Sequence, residues 1–128
     1  NEHEIDSIGG MFFLIKREVG EQVGWWDEDS PFYGDDLDFC YRLHHVGYHN
    51  YYYPAVKVLH HKGATTGISK HSAKVTSASV ATTQQVKLWS IQAMEIFYRK
   101  HYVQKYPFFI NWLVFLGIRL LKLRRIGL

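Results

Sequence analysis

"SPFYGDDLDFCYRL", residues 30–43, gathers Asp35, Asp36 and Asp38 behind a turn marked by Ser30-Pro31 and Gly34. From Leu37 onward the apolar residues fall at helical spacing, with Leu37, Cys40, Tyr41 and His44 along one face. Gly47 then stands where a left-handed C-cap would be needed, so the spacing predicts a helix over 35–46. Three acids in its first turn serve in one of two ways. As caps they satisfy backbone N–H groups and complement the helix dipole, typically contributing ~1 kcal/mol. As a functional group, one of them removes a proton from an incoming hydroxyl, and a helix N-terminus at the rim of a sheet is a suitable position for such a base.

Working outward, the 128 residues are enough for one domain with a core, and 47% hydrophobic and 16% aromatic content argues against disorder. The net charge of +3 is too small to imply nucleic acid, and no nucleic-acid partner is expected. Its distribution is more informative: all acids but Glu95 lie before residue 39, and the tail from Arg99 is entirely basic. Cys40 is the one cysteine, which excludes an internal disulfide and fits a reducing, cytoplasmic compartment. On the apolar side of its helix it reads as a buried thiol.

Upstream, "GGMFFLIKREV" (residues 9–19) reads as a buried strand whose glycine entrance allows close backbone approach. Downstream, "YHNYYYP" and "AVKVLHH" are β-rich runs punctuated by Pro54. Residues 64–83 are rich in Ser and Thr and poor in large apolar groups, which predicts a mobile loop. Helical spacing returns at about Gln84, through Val86, Trp89, Ala93, Ile96 and Phe97, and Pro107 opens a last apolar stretch. The organisation read from these features is a first region over 1–70, a flexible loop over 71–83 and a helical region over 84–128.

Several ordered motifs together resemble family 2 glycosyltransferases, which are inverting, GT-A-fold enzymes that use nucleotide-sugars. The resemblance covers about residues 5–102. It begins with a small residue and an apolar strand ending in basic residues, Gly10 to Arg17. A glycine–aromatic–Asp–Glu turn follows at Gly24, Trp26, Asp27 and Glu28, with one extra tryptophan, Trp25. The acidic stretch runs from Tyr33 to Arg42, and Gly47-Tyr48, Pro54 and His60 to Gly63 come later. "FYRKHY" (residues 97–102) is similar to a helix end common in bacterial, rhamnosyltransferase-like members. The fold class this implies is α/β: the C-terminal half of a GT-A domain with a mixed sheet, followed by helices.

The family usually has Glu-Asp where this chain has Asp35-Asp36. The resemblance places the general base on the second acid, Asp36, and a supporting role at the acceptor on Asp35. Substrate contacts are expected at Gly10, Trp25, Trp26, Asp27, Glu28 and Lys62. From the residues alone, Trp25 and Trp26 read equally as core or as a surface that stacks on a sugar. Asp38 and Arg42 read as a structural pair one helical turn apart. His60 maps to a histidine that in the family often completes the metal or diphosphate site, and a mixed oxygen–imidazole set suits Mn²⁺ better than Mg²⁺. His44, His45 and His49 are not read as a zinc site, because Gly47 breaks the helix between them and no cysteine pair supports them.

In the family an Asp-x-Asp motif on the preceding half holds the metal. Asp27-Glu28-Asp29 and Asp36-Leu37-Asp38 have the letters but not that context. The chain is therefore expected to be the acceptor-side part of a longer enzyme, with a nucleotide-sugar donor, a glycan or lipid-linked acceptor and Mn²⁺ or Mg²⁺ as cofactor. Two rival readings are a non-catalytic carbohydrate-binding or pseudoenzyme module and a membrane-peripheral assembly domain. Residues 107–125 are too interrupted to span a bilayer, and they read as a peripheral contact at the inner face of the plasma membrane. Wound as a helix, they put Phe109, Leu113, Leu116, Leu120 and Leu123 on one face. Asn111, Arg119, Lys122 and Arg125 gather opposite, with Phe115 and Ile118 interrupting the polar side. Packing of this helix on the rest of the protein is the alternative.

Overall fold

A computed structural model describes residues 1–60, 64–68 and 76–126. Among these, the elements in chain order are β1 (His3–Ile5), α1 (Arg17–Val23), α2 (Asp35–His45), β2 (Asn50–Tyr52), α3 (Val80–His101) and α4 (Phe108–Ile126). The chain divides into two compact units, the first from Asn1–Asp29 and Gly34–His60, the second from Ser30–Tyr33 and His61–Leu128.

In the first unit α2 supplies the core. Phe39, Cys40 and Leu43 are buried at its centre. Of the face read from the sequence, Leu37, Cys40, Tyr41 and His44, only Cys40 is buried and Leu37 is exposed. The core lies on a neighbouring face, which Phe39 selects by its bulk. The helix closes as expected: Gly47, at φ +87°, donates its N–H to the His44 carbonyl while Tyr48 donates to that of Leu43, a Schellman arrangement. β1 and β2 pair antiparallel in the register His3–Tyr52, Glu4–Tyr51 and Ile5–Asn50. Asn50, at the end of this ladder, is buried, donating to the Asp6 carbonyl at 3.1 Å and meeting His44 Nε2 at 3.0 Å.

The predicted strand over 9–19 is not formed. Residues 11–16 have no regular structure, and Arg17–Val23 winds into α1 instead. An apolar run is compatible with several backbones, whereas "REVGEQV" carries helix signals of its own. Arg17 pairs with Glu21 at 2.8 Å one turn on, and Gly24, at φ +80°, ends the helix. The second β-rich run is also shorter than its letters imply. β2 stops at Tyr52, and Val56, Val58 and Leu59 are exposed on irregular chain. A strand needs a hydrogen-bonding neighbour, and the ladder among the described residues joins β1 to β2 alone. In place of the mixed sheet expected, the described residues hold this two-stranded antiparallel one.

The second unit is a helical hairpin. α3 begins at Val80, about one turn before the expected Gln84, because Ser79 Oγ accepts the Thr82 N–H at 3.0 Å. Near its start, the Thr83 hydroxyl donates to the Thr66 carbonyl at 3.1 Å. Residues 69–75, within the mobile loop read over 64–83, lie outside the described residues. Val86, Ile91 and Ala93 are buried. α4 starts after Pro107, whose carbonyl accepts from Ile110 and Asn111, a position where the absent proline N–H has no helical partner to lose.

Asn111 locks the two helices together. It accepts from the Tyr98 hydroxyl at 2.8 Å and donates to the carbonyls of Val103 at 2.9 Å and Tyr106 at 3.0 Å. Phe115 adds an edge contact to the Tyr98 ring and lies under the Arg99 guanidinium. The polar side read from the sequence is therefore in part the packed side. Asn111, Phe115 and Arg125 serve the α3–α4 contact, and the leucine stripe is left outside.

Candidate functional site

The acids at the start of α2 do not act as N-cap. That position belongs to Gly34, at φ +87°, a backbone conformation that suits glycine. The helix opens instead with the Asp38 N–H donating to the Gly34 carbonyl at 2.8 Å. Asp36 has two backbone partners. Its Oδ1 accepts the Leu37 N–H at 2.8 Å, and its Oδ2 accepts the Gly10 N–H at 3.0 Å. This side chain thus satisfies a free donor of the first turn, as the capping reading expects, and it also fastens a distant segment to the helix start. The carboxylate is only half-buried, and each oxygen has a second lone pair directed elsewhere. Asp35 precedes it as the first residue of α2, also half-buried.

Gly10 and Asp36 are thereby brought together. A Cβ built on Gly10 would lie 3.5 Å from the Asp36 Cβ, an ordinary contact, so glycine is not demanded there by space. The close approach predicted for the glycine entrance is a hydrogen bond and not a steric necessity.

Asp38 turns away from this site. It is buried and pairs with Arg42 Nε at 2.6 Å, as the one-turn spacing predicts. What the sequence did not disclose is where the rest of the guanidinium goes. Arg42 also donates to the carbonyls of Val23 and Trp25, the latter at 2.6 Å, and so holds the turn after α1. Trp25 needs that support. It adopts φ +56°, a left-handed conformation that costs a non-glycine residue ~1–2 kcal/mol. Its N–H donates to the Gly20 carbonyl at 3.0 Å, and its ring lies on Gly20, where a Cβ would come within 2.4 Å of ring atoms.

Trp26 joins Phe13 and Phe39 in an aromatic cluster, with centroids 5.7 Å and 4.7 Å away. It remains 41% exposed, so one edge is core and the other is open surface. Trp26 is thus partly core, and its exposed edge is compatible with the stacking reading. Phe13 and Phe39 were missed as the platform beneath Trp26, and the signal for them was their place in apolar runs on either side of the turn. Asp27 Oδ1 accepts the Asp29 N–H at 3.1 Å in an Asx-turn, and Glu28 is exposed. Tyr51, Tyr52 and Tyr53 are exposed as well.

The histidines go to separate partners. His44 meets Asn50, His45 Nδ1 lies 3.0 Å from the Tyr41 carbonyl, and His49 Nδ1 lies 2.6 Å from Glu4 Oε1. His60 is exposed at the end of the first unit, and Lys62 lies outside the described residues. Among the described residues no three His, Cys, Asp or Glu side chains converge as a ligand set for Mn²⁺ or Mg²⁺. Cys40 is fully buried and accepts the Ile8 N–H at 3.5 Å; burial pushes its thiol pKa up, partly offset by that hydrogen bond.

Comparison with known proteins adds one likeness. Over 67 residues, or 52% of the chain, the sequence is 36% identical to the N-acetylglucosaminyl-diphospho-decaprenol L-rhamnosyltransferase of Mycobacterium tuberculosis, in strains CDC 1551 / Oshkosh and H37Rv alike. The likeness is to a glycosyltransferase. It takes in 22% of each relative, so the chain spans about a fifth of the length of the proteins it matches. No family model and no solved structure matches the chain.

Proposed function

We propose that this chain is the acceptor-side part of an inverting glycosyltransferase of the GT-A, family 2 type, with Asp36 as its general base. The observation that carries the reading is the 36% identity to a rhamnosyltransferase. The geometry supports it: Asp36 is tethered by Gly10 and Leu37 at the start of α2 and stays half open to solvent. By analogy with the relatives, the donor is a nucleotide-activated rhamnose and the acceptor a sugar on a polyprenyl diphosphate.

In the proposed step the acceptor hydroxyl approaches the open side of Asp36. The carboxylate takes its proton as the oxygen attacks the anomeric carbon, and the bond to the departing nucleoside diphosphate breaks on the opposite side. A single base suffices for an inverting displacement in which the leaving group is itself a stable anion. The two backbone N–H groups hold the carboxylate's orientation, which is what a positioned base requires. The exposed edge of Trp26 offers an aromatic face to the apolar side of a sugar ring. The described residues do not supply a metal site, and no step here runs through a metal.

A non-catalytic carbohydrate-binding module is favoured by one observation, that both oxygens of Asp36 already make structural bonds. Rhamnose transfer by the whole protein carrying this chain, wild type against Asp36→Asn, separates the two. A base role predicts a loss of about 10²- to 10⁴-fold in turnover with donor binding kept. Unchanged turnover in a folded variant would overturn it. Running the assay with and without Mn²⁺ tests the cofactor expectation alongside.

A further inference from the structure

α4 has two apolar faces, and only one of them is used inside the second unit. Toward α3 it presents Asn111 and Phe115 to Tyr98, and Arg125 donates to Ser90 Oγ at 2.8 Å. On the outer side Phe109, Leu113, Leu116, Leu120 and Leu123 recur at alternating intervals of four and three residues, and all are exposed. Trp112 lies beside them, 62% exposed. At the helical repeat these six side chains fill an arc about 100° wide, with Arg119 and Arg124 on its two margins. No acidic residue follows Glu95.

A contiguous apolar stripe on a surface helix marks an interaction site. No described helix is long and apolar enough to cross a membrane. A four-and-three repeat also suits a coiled coil with a second copy of the chain. Here, however, it covers only about two heptads, where about three to four are usual. The margins decide against it. In a parallel pair Arg119 of one copy would face Arg124 of the other, and an antiparallel pair offers neither arginine an acid, because the helix has none. A surface of negative charge over an apolar interior satisfies the stripe and its arginines at once.

We infer that the outer face of α4 docks on an anionic lipid bilayer, with the helix lying in the interface plane. The leucines and Phe109 enter the acyl boundary, Trp112 sits at head-group level, and Arg119 and Arg124 meet lipid phosphates. α3 is carried on the far side of α4. The inference does not depend on the transferase reading, since it rests on α4 alone.

The test is vesicle flotation of the 128-residue chain with phosphatidylcholine vesicles, with and without phosphatidylglycerol, at low and high salt. Sedimentation velocity is run beside it. Flotation is expected with phosphatidylglycerol only, weakened by salt. Leu120→Glu should abolish it with helical circular dichroism unchanged, and Arg119→Gln with Arg124→Gln should lower partitioning roughly 10-fold or more. Because both arginines are exposed, that second variant keeps the test valid should Leu120→Glu disturb the fold. Three results would each overturn the inference: no flotation, flotation indifferent to phosphatidylglycerol, or a dimer that Leu120→Glu disperses while flotation persists.

Discussion

The Gly10 N–H and the Asp36 carboxylate are 26 positions apart in sequence and 3.0 Å apart in space. This bond joins an irregular, largely exposed segment to the first turn of the helix that organises the first unit. Gly10→Pro removes the donor and leaves the carboxylate in place. It should destabilise the protein by about 1 kcal/mol, the usual value of one such bond. Gly10→Ala keeps the N–H, and its methyl group meets only ordinary contacts. It should be near neutral. Urea unfolding of the two variants checks the contrast, and equal losses would show that the bond contributes nothing.

Removing the Arg42 guanidinium should cost more. Asp38 is 3% exposed, and Arg42 also holds the Val23 and Trp25 carbonyls. Deleting the cationic partner of a buried carboxylate is strongly destabilising, so Arg42→Ala is expected to lose ~3 kcal/mol. Arg42→Lys should recover only a fraction, because an ammonium cannot reach three acceptors in one plane. Denaturant midpoints of the two variants give the answer, and full recovery with lysine would refute the forked geometry.

Gly20→Ala forces a methyl group into the ring of Trp25. The indole must swing away from α1, at an expected loss of about 1–3 kcal/mol typical of overpacking. Tryptophan emission should move to longer wavelength in the folded variant. An unchanged spectrum and an unchanged midpoint would show that the ring does not rest there.

The Cys40 thiol supplies a pH dependence. Burial raises its pKa in the fold, so the folded protein holds that proton more tightly than the unfolded chain. The stabilisation is complete below the ordinary thiol value of about 8.5 and is lost as pH climbs from there through the raised value. Cys40→Ala should flatten the alkaline limb of a stability-against-pH curve. At neutral pH the native thiol should resist a disulfide reagent that modifies the unfolded chain at once. A limb of the same slope in Cys40→Ala would assign the alkaline loss to other groups.

The existence and bounds of α2 were legible in the sequence, because its apolar spacing, its first-turn acids and Gly47 all point to one element. The face it buries was not: Phe39 and Leu43 go inward and Leu37 stays exposed. The Asp38–Arg42 pair followed from spacing alone. By contrast, the strand read over 9–19 failed because an apolar run states a preference for burial and not for a backbone, and the pairing that would settle it is a long-range fact. The same limit explains α4. Its sequence shows two sets of side chains on two sides, but only the hydroxyl of Tyr98, on another helix, decides that Asn111 goes inward. At the site, letters marked Asp36 and Gly10 separately. That they touch depends on the path of residues 11–33, which no local rule fixes.

Arg42 grips the turn after α1 at two points, the carbonyls of Val23 and Trp25, from a helix that lies after the turn in the chain. The turn that carries the tryptophan pair is therefore held in part from α2. Such a segment behaves as a hung panel: a substitution in α2 that displaced Arg42 would reorient it without altering any residue of the turn itself.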